Sequence, residues 1–346
     1  MHDTIDFIDR ANQSLSALTK LSEIQYEYNL RKLVYQHDKI KLYHYQPKTK
    51  NSHSLPVLVA FATVNRSEIL DLFPDKSFVG GLLENGMDVY LIDWGFPSED
   101  DKDITFSDYV MHYLHGCVDY ITQERALPQI NLLGICQGGV MSLCYAAQRK
   151  TIKNLILIST PIDFHTEDNK VSQLIKHIDV DVMRQMTGNI LGAWLTQFFI
   201  SLRPFELMGK KYLDLMDKVD DSAWRYKFLR VEKWLHDAPD QAGAAFAEFI
   251  NEFYHANKLI KHEIKIAGQP VNLSDLQLPI LNVIASEDDI VPPSATRVLR
   301  EYVSSTDYTE VCFPSGHIGI YISDKVGKRM SKVIADWTKK HDKSVV

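Results

Sequence analysis

The chain has 346 residues, of which 45% are hydrophobic and 24% are charged, and its formal net charge is −7. This composition excludes wholesale disorder and collagen-like order. Lys and Arg are scattered rather than clustered, so nucleic acid is excluded as an expected partner.

The N-terminal part of the chain predicts a helix and no export signal. Residues 1–6 are acidic where a signal peptide is basic, and no continuous apolar stretch follows them. Leu15, Leu18, Leu21 and Ile24 recur at three-residue steps, as on one face of a helix. We assign residues 1–50 to an N-terminal helical segment that can contact a partner. The apolar runs are far shorter than a membrane-spanning helix, which needs about 20 residues. The sequence therefore predicts a cytoplasmic protein without a transmembrane segment.

Short apolar runs bounded by turn residues recur along the chain and predict strands. These runs are apolar at nearly every position, so both faces of the sheet are expected to be covered, as in a parallel sheet flanked by helices. A final amphipathic helix is predicted from the spacing of Val326, Met330 and Trp337. The pattern predicts an α/β fold with a mostly parallel, doubly wound sheet. The predicted strands are residues 56–62, 88–93, 130–135, 154–160, 279–286 and 308–314.

The alternation of strands and helices stops between residues 161 and 276, where the sequence becomes helix-like. We predict an inserted helical cap there, which leaves residues 51–160 and 277–346 as the core. Aromatic residues are frequent in this segment, and they either line an apolar channel or fill a helical core; for any one of them, core packing is favoured. They are Trp194, Phe198, Phe199, Trp224, Phe228, Trp234, Phe246, Phe249 and Phe253.

The motif Gly134-Ile135-Cys136-Gln137-Gly138 lies between a predicted strand and a predicted helix. A nucleophile in this G-x-nucleophile-x-G context lies on a sharp turn whose glycines allow close backbone approach. Cys136 would stand at the helix N-terminus, where the dipole and free N–H groups favour a thiolate. The sequence therefore predicts that Cys136 is a covalent nucleophile, although small residues before a helix also serve ordinary tight packing.

Two later loops supply the other members of a catalytic triad in the order nucleophile, acid, base. Glu287, Asp288 and Asp289 follow one predicted strand, and His317 follows the last strand in a small-residue loop. Each could be a solvated turn residue. Their order along the chain instead favours one of the carboxylates and His317 as partners of Cys136.

For the oxyanion, the sequence predicts two backbone donors: the N–H of Gln137, directly after the nucleophile, and the N–H of Val64, in the loop after an earlier strand. Nearby, Arg66 either binds an anionic substrate or pairs with Glu68. The remaining cysteines, Cys117, Cys144 and Cys312, lack such a context and are expected to be packing residues. No cysteine or histidine spacing fits a metal site or a disulfide framework, so no metal and no cofactor are expected.

Beyond these patterns, the chain resembles the catalytic subunit of polyhydroxyalkanoate synthase, an enzyme with the α/β-hydrolase fold, and specifically its short two-subunit kinds (classes III and IV). The family aligns Asp288 with its catalytic acid, although this chain carries Asp289 where the family usually has histidine. The motifs that carry the resemblance extend over most of the chain: ATVNR (62–66), DWGFP (93–97), NLLGICQGG (131–139), TPIDF (160–164), PDQAG (239–243), FY (253–254), NKL (257–259) and GHIG (316–319).

This resemblance implies an acyltransferase that polymerises short-chain 3-hydroxyacyl-CoA through an acyl-Cys136 intermediate and works at the surface of polymer granules. It also implies a separate helical partner subunit, because the first predicted strand begins at Pro56 and no long N-terminal domain precedes it. A homodimer is a further possible assembly. Two alternatives remain open: a cysteine-dependent hydrolase (a thioesterase or a dienelactone-hydrolase-like enzyme), and a non-catalytic granule-binding subunit.

Overall fold

The computed structural model describes residues 2–26, 29–47, 55–73 and 77–342. Its strands are β1 (Arg31–His37), β2 (Ile40–Tyr45), β3 (Val57–Ala60), β4 (Val89–Asp93), β5 (Ile130–Ile135), β6 (Ile152–Ile158), β7 (Lys265–Ile266), β8 (Gln269–Pro270), β9 (Ile280–Ala285) and β10 (Tyr308–Phe313).

Helices connect most of these strands, and no helix of the described residues is long and apolar enough to cross a membrane. The α-helices are α1 (His2–Leu18), α2 (Phe78–Glu84), α3 (Phe106–Asp108), α4 (His115–Glu124), α5 (Gln137–Gln148), α6 (Lys170–Ile175), α7 (Val180–Thr187), α8 (Gly192–Ser201), α9 (Lys211–Asp217), α10 (Ser222–His236), α11 (Gly243–Glu248), α12 (Pro293–Arg297), α13 (Leu299–Tyr302), α14 (Gly319–Ile322) and α15 (Asp324–Asp342). Single 3₁₀ turns lie at Leu21–Glu23, Ser67–Asp71, Glu99–Asp101 and Leu273–Asp275, and π-helical turns at Tyr109–Leu114, Phe205–Lys210 and Phe249–His255.

The sheet has the strand order β1-β2-β4-β3-β5-β6-β9-β10. Strand β2 is antiparallel to both of its neighbours, and every pairing from β4 to β10 is parallel. All residues of β3, β5 and β9 are buried, because helices cover both faces of the sheet. The predicted doubly wound, mostly parallel sheet is therefore confirmed.

Two hydrophobic cores lie on opposite faces of the sheet, and β5 shows how one strand serves both. Its residues Ile130 and Leu132 face the core formed with α4 and α5. The alternate residues Leu133 and Ile135 face the core formed with α2 and α15. A continuous apolar run such as β5 is thus required by helices on both sides of it.

The prediction of helical structure over residues 1–50 is correct only for its first part. Helix α1 forms there, but β1 and β2 make an antiparallel hairpin that extends the sheet beyond β4. Asp38 occupies its turn with φ of 50°, a conformation that aspartate tolerates better than most residues. The hairpin was missed because β1 is half-exposed and mixes charged with apolar residues, unlike the buried strands.

The predicted cap, residues 161–276, is mostly helical, with α6 to α11 between β6 and β9. It has a small core of its own, which also packs against neighbouring aromatic residues of the same segment. The short hairpin of β7 and β8 also falls in this range and was not predicted. The buried members of the cap core are Val171, Ile175, Val180, Ala247 and Ile250.

A buried polar cluster ties the last helix to the middle of the sheet. The carboxylate of Asp342, in α15, accepts hydrogen bonds from the Leu55 N–H (2.9 Å), from Asn131 Nδ2 (3.2 Å) and from Asn154 Nδ2 (2.9 Å). Asn131 lies in β5 and Asn154 in β6, and both are fully buried. Each amide also has a second acceptor, the Leu55 carbonyl for Asn131 (3.3 Å) and Asn131 Oδ1 for Asn154 (2.8 Å), and the end of α15 adds a charged one.

Candidate active site

Cys136 lies on the tight turn between β5 and α5, as the sequence predicts. Its backbone has φ of 53° and ψ of −122°, a conformation that side-chain-bearing residues rarely adopt. The N–H of Cys136 donates to the carbonyl of Ile158 at 3.0 Å, which fixes the turn against the end of β6. The turn presents the thiol at the carboxyl edge of the parallel strands.

The glycines around Cys136 are needed for close approach of α5 to the sheet. A Cβ atom on Gly138 would lie 2.2 Å from the carbonyl oxygen of Ala60, and one on Gly139 would lie 1.9 Å from Thr160 Oγ1. A Cβ atom on Gly134 would lie 2.5 Å from the Gly139 Cα. Contacts this short are excluded for real side chains, so the motif holds the turn tightly between β3 and β6.

Replacing Gly138 with alanine is expected to destabilise the fold, because the clash is with backbone that cannot rotate away. Overpacking of this kind costs about 1–3 kcal/mol or more. We expect a Tm several degrees lower, measured by differential scanning calorimetry. The matched control is Gly209→Ala, since a Cβ atom there meets nothing within 4 Å. Equal melting temperatures of the two variants would contradict this interpretation.

His317 and Asp288 form a buried hydrogen-bonded pair. His317 Nδ1 lies 2.7 Å from Asp288 Oδ2. The other oxygen of that carboxylate, Oδ1, accepts the N–H groups of Ile290 (2.9 Å) and Val291 (2.8 Å). Because backbone donors and the imidazole together use both oxygens, the carboxylate has one defined orientation.

The neighbouring acidic residues point elsewhere. Asp289 pairs with two cations of the cap, Lys170 (Nζ to Oδ1 3.2 Å) and Arg203 (Nε to Oδ2 2.6 Å). Partial burial raises the pKa of Asp289, but the hydrogen bonds and charges of Arg203 and Lys170 bring it below its usual value. The side chain of Glu287 is exposed. Of the three candidate acids, Asp288 is the one that contacts His317.

The imidazole of His317 also lies near Cys136, close enough for charge and hydrogen-bond interaction with its sulfur. Burial lowers the pKa of His317, but the Asp288 carboxylate and the Cys136 sulfur more than offset this and raise it well above its ordinary value. With Nδ1 toward Asp288, Nε2 is the nitrogen left for the sulfur. The structure thus brings Cys136, His317 and Asp288 into one connected chain, the geometry in which an imidazole takes a proton from a nucleophile.

The two predicted oxyanion donors lie at the wall of the same cavity. The Gln137 N–H is the first of α5 and has no acceptor within the helix. Its side-chain oxygen Oε1 accepts the N–H of Thr63 at 3.0 Å, which joins the loop after β3 to the start of α5. Val64 follows Thr63 and lines the cavity beside Cys136. Arg66 pairs with Glu68 and with Asp237 (3.3 Å). Of the two roles considered for Arg66, the structure therefore has the ion pair with Glu68.

An apolar cavity of about 150 Å³ opens at Cys136 and is lined largely by the cap. Two aromatic residues considered for it, Trp234 and Phe253, are buried in the cores instead. Channel lining and core packing thus both occur among the predicted aromatic residues. Those that line the cavity are Trp194, Phe198, Phe199, Phe246 and Phe249.

The other cysteines lie outside this cavity. Cys117 and Cys144 are fully buried, and burial raises the pKa of each thiol to about 12, which suits packing residues. Cys312 is exposed, so the expectation that it packs in the core is wrong. It lies in β10, which among the described strands pairs only with β9, and several positions of this edge strand face solvent.

Known protein families match the chain in two overlapping segments. A family described as "alpha/beta hydrolase fold" matches residues 67–324. A second, described as "Poly-beta-hydroxybutyrate polymerase (PhaC) N-terminus", matches residues 28–81. The first confirms the predicted fold class and covers the cap together with the loops of Cys136, Asp288 and His317.

Similar proteins extend this match to nearly the whole chain. The poly(3-hydroxyalkanoate) polymerase subunit PhaC of Allochromatium vinosum is 41% identical over 97% of this chain and 95% of its own length. The chain belongs to the PhaC family. Another member, the PhaC subunit of Synechocystis, is 42% identical over 97% of this chain and 92% of its own length. The resemblance in the sequence motifs is thereby confirmed.

Solved structures of lower identity share the fold of this PhaC-family chain. A soluble variant of monoglyceride lipase from Saccharomyces cerevisiae has a TM-score of 0.58 and 17% identity, covering 92% of this chain and 98% of that one. The monoacylglycerol lipase of Paleococcus ferrophilus has a TM-score of 0.53 and 17% identity, covering 83% and 96%. At this identity, the likeness concerns the fold alone.

Proposed function

We propose that the chain is the catalytic subunit of a poly(3-hydroxyalkanoate) synthase that joins short-chain 3-hydroxyacyl units, released from their CoA thioesters, into a polyester. The observation that carries the proposal is the connected chain of Cys136, His317 and Asp288 at the mouth of an apolar cavity, in a member of the PhaC family. Cys136 is the nucleophile, His317 the general base and Asp288 the acid that orients it.

In the first half-reaction, His317 accepts the thiol proton of Cys136, and the thiolate attacks the carbonyl carbon of 3-hydroxyacyl-CoA. The N–H groups of Gln137 and Val64 stabilise the negative oxygen that develops. The bond to the CoA sulfur then breaks, and CoA leaves with the proton from His317. The product is an acyl thioester on Cys136, as reactive as the thioester that was consumed.

In the second half-reaction, a 3-hydroxyl group attacks this thioester and gives its proton to His317. An ester bond forms, the bond to Cys136 breaks, and the proton returns to the sulfur. Water would compete with the hydroxyl, and the apolar lining of the cavity supports its exclusion. A cavity of about 150 Å³ holds a molecule of the size of benzene, which suits a short acyl unit.

We further propose that a second, helical subunit binds at α1, and that the complex acts at the surface of polymer granules in the cytoplasm. Apolar side chains on one side of α1 support this: Phe7, Ile8 and Leu15 are 58%, 51% and 61% exposed. Apolar residues this exposed on a helix are typical of an interaction surface.

The test supplies the purified chain and its partner subunit with 3-hydroxybutyryl-CoA, and follows free CoA, soluble acid and insoluble polyester together. We expect CoA release matched by ester bonds in polyester. Stoichiometric free 3-hydroxybutyrate without polymer would identify a hydrolase instead. Absence of CoA release would leave the granule-binding alternative and reject the proposal.

A further inference from the structure

The cavity at Cys136 contains very few polar groups. Apart from the cysteine, the lining side chains that can form hydrogen bonds are those of Gln137, Trp194 and Tyr254. The oxygen of Gln137 already accepts the Thr63 N–H, and Trp194 is 37% exposed. Tyr254 therefore offers the hydroxyl group that a buried ligand in this cavity can reach.

Tyr254 is held rigidly in the π-helical turn Phe249–His255. Its ring meets the ring of Phe164 edge to face, with centroids 4.8 Å apart, and that of Phe249 in the same manner at 5.7 Å. Its backbone carbonyl accepts a hydrogen bond from His165 at 2.8 Å. A tyrosine with so fixed a ring presents its hydroxyl at one place in the cavity.

The hydroxyl of Tyr254 has no hydrogen-bond partner among the residues that the structure describes. Burial, and then the nearby Cys136 sulfur, raise the pKa of Tyr254 above its ordinary value, so the phenol stays neutral and keeps its proton. It lies close enough to Cys136 for this electrostatic interaction. The Tyr254 side chain is half-buried and lines the cavity, so a ligand there that supplies a partner for its hydroxyl gains a hydrogen bond.

We propose that the hydroxyl of Tyr254 binds the 3-hydroxyl group of the acyl unit at Cys136, and so selects 3-hydroxyacyl thioesters over unsubstituted ones. This inference rests on the proposed function. In the proposed mechanism the thioester oxygen is served by the N–H groups of Gln137 and Val64, which leaves the 3-hydroxyl as the remaining polar group of the acyl unit. In a cavity lined mostly by aliphatic and aromatic carbon, Tyr254 supplies a partner for that group.

The test is Tyr254→Phe, which removes one oxygen and retains the ring contacts with Phe164 and Phe249. Wild type and variant are each given a mixture of 3-hydroxybutyryl-CoA and butyryl-CoA for a single turnover. Intact-mass spectrometry then measures how much of each adduct forms on Cys136. We expect the preference for the hydroxylated substrate to fall about tenfold, the size of one hydrogen bond, with little change for butyryl-CoA. Tyr120→Phe, on α4 outside the cavity, is the matched control and keeps the wild-type preference.

Two results would overturn the assignment. An unchanged preference in Tyr254→Phe would show that the phenol does not contact the 3-hydroxyl. If Tyr254→Phe reduced adduct formation equally with both thioesters, at an unchanged melting temperature, the phenol would act at the thioester carbonyl instead. Failure of the proposed function looks different: a non-catalytic granule-binding chain forms an adduct with neither thioester, and a hydrolase releases free 3-hydroxybutyrate without polymer.

Discussion

Cys136→Ala is expected to lower CoA release from 3-hydroxybutyryl-CoA by about 10⁴-fold or more, as loss of the nucleophile does in enzymes that use a triad. The thiol is the atom that carries the acyl group in the proposed mechanism, and alanine offers nothing in its place. The measurement is the rate of CoA release under saturating substrate. Intact-mass spectrometry should find the acyl adduct on wild type and not on the variant.

The matched control is Cys312→Ala, which removes an exposed thiol from β10, outside the cavity. It should keep the wild-type rate and the wild-type adduct. An adduct that survives in Cys136→Ala, or that disappears in Cys312→Ala, would move the nucleophile elsewhere and reject the mechanism.

Asp288→Asn should reduce CoA release about 10³- to 10⁴-fold, as the same change does in other triads. The amide oxygen would stay with the N–H groups of Ile290 and Val291, which turns the NH₂ group toward His317 Nδ1. The imidazole must then carry its proton on the other nitrogen, where it cannot accept one from Cys136. Without the carboxylate, burial dominates, so the pKa of His317 should also fall, which an NMR titration of the imidazole would measure.

Asp289→Asn is the control for this position, because its side chain pairs with Lys170 and Arg203 instead of His317. Loss of such partly exposed ion pairs should change the rate less than about fivefold. If Asp289→Asn were the more damaging substitution, Asp288 would not be the triad acid. Because both substitutions remove one negative charge from the same turn, comparing their rates separates the specific effect of the Asp288 carboxylate from a general loss of charge.

The variant Asp288→Asn also distinguishes two uses of the carboxylate. Orientation of His317 serves both half-reactions, so acylation and elongation should fall together. If Asp288 instead activates the attacking 3-hydroxyl, acyl-Cys136 should form at nearly the wild-type rate and fail to elongate. Rapid-quench measurement of the adduct, alongside polymer yield, resolves the two steps.

Continuous apolar runs made the parallel strands predictable, because burial on both faces leaves no room for polar residues. The same reasoning missed the hairpin of β1 and β2, where one face meets solvent and the sequence mixes Lys, Gln and His with apolar residues. Antiparallel edge strands carry a weaker sequence signal for this physical reason. The helical prediction for residues 1–50 failed at that hairpin.

The site was predictable where the local backbone dictates the residue type. The glycines around Cys136 are required by contacts that any Cβ atom would violate, so the motif is visible in the sequence. The choice among the acidic residues after β9 depends on which side chain accepts the N–H groups of Ile290 and Val291, and this follows from the turn's conformation. Tyr254 could not be singled out, because only the packing of the cap decides which aromatic side chains face the cavity.

The hydrogen bonds of Asp342 have a consequence for the order of events during protein synthesis. A ribosome delivers β5 and β6 long before α15, so Asn131 and Asn154 enter the growing sheet while the charged acceptor that they share has not yet been translated. Until then the two buried amides lack the charge-assisted hydrogen bonds that the carboxylate supplies, which disfavours early closure of the nascent sheet. We therefore expect nascent chains to acquire their protease-resistant core only after α15 has left the exit tunnel.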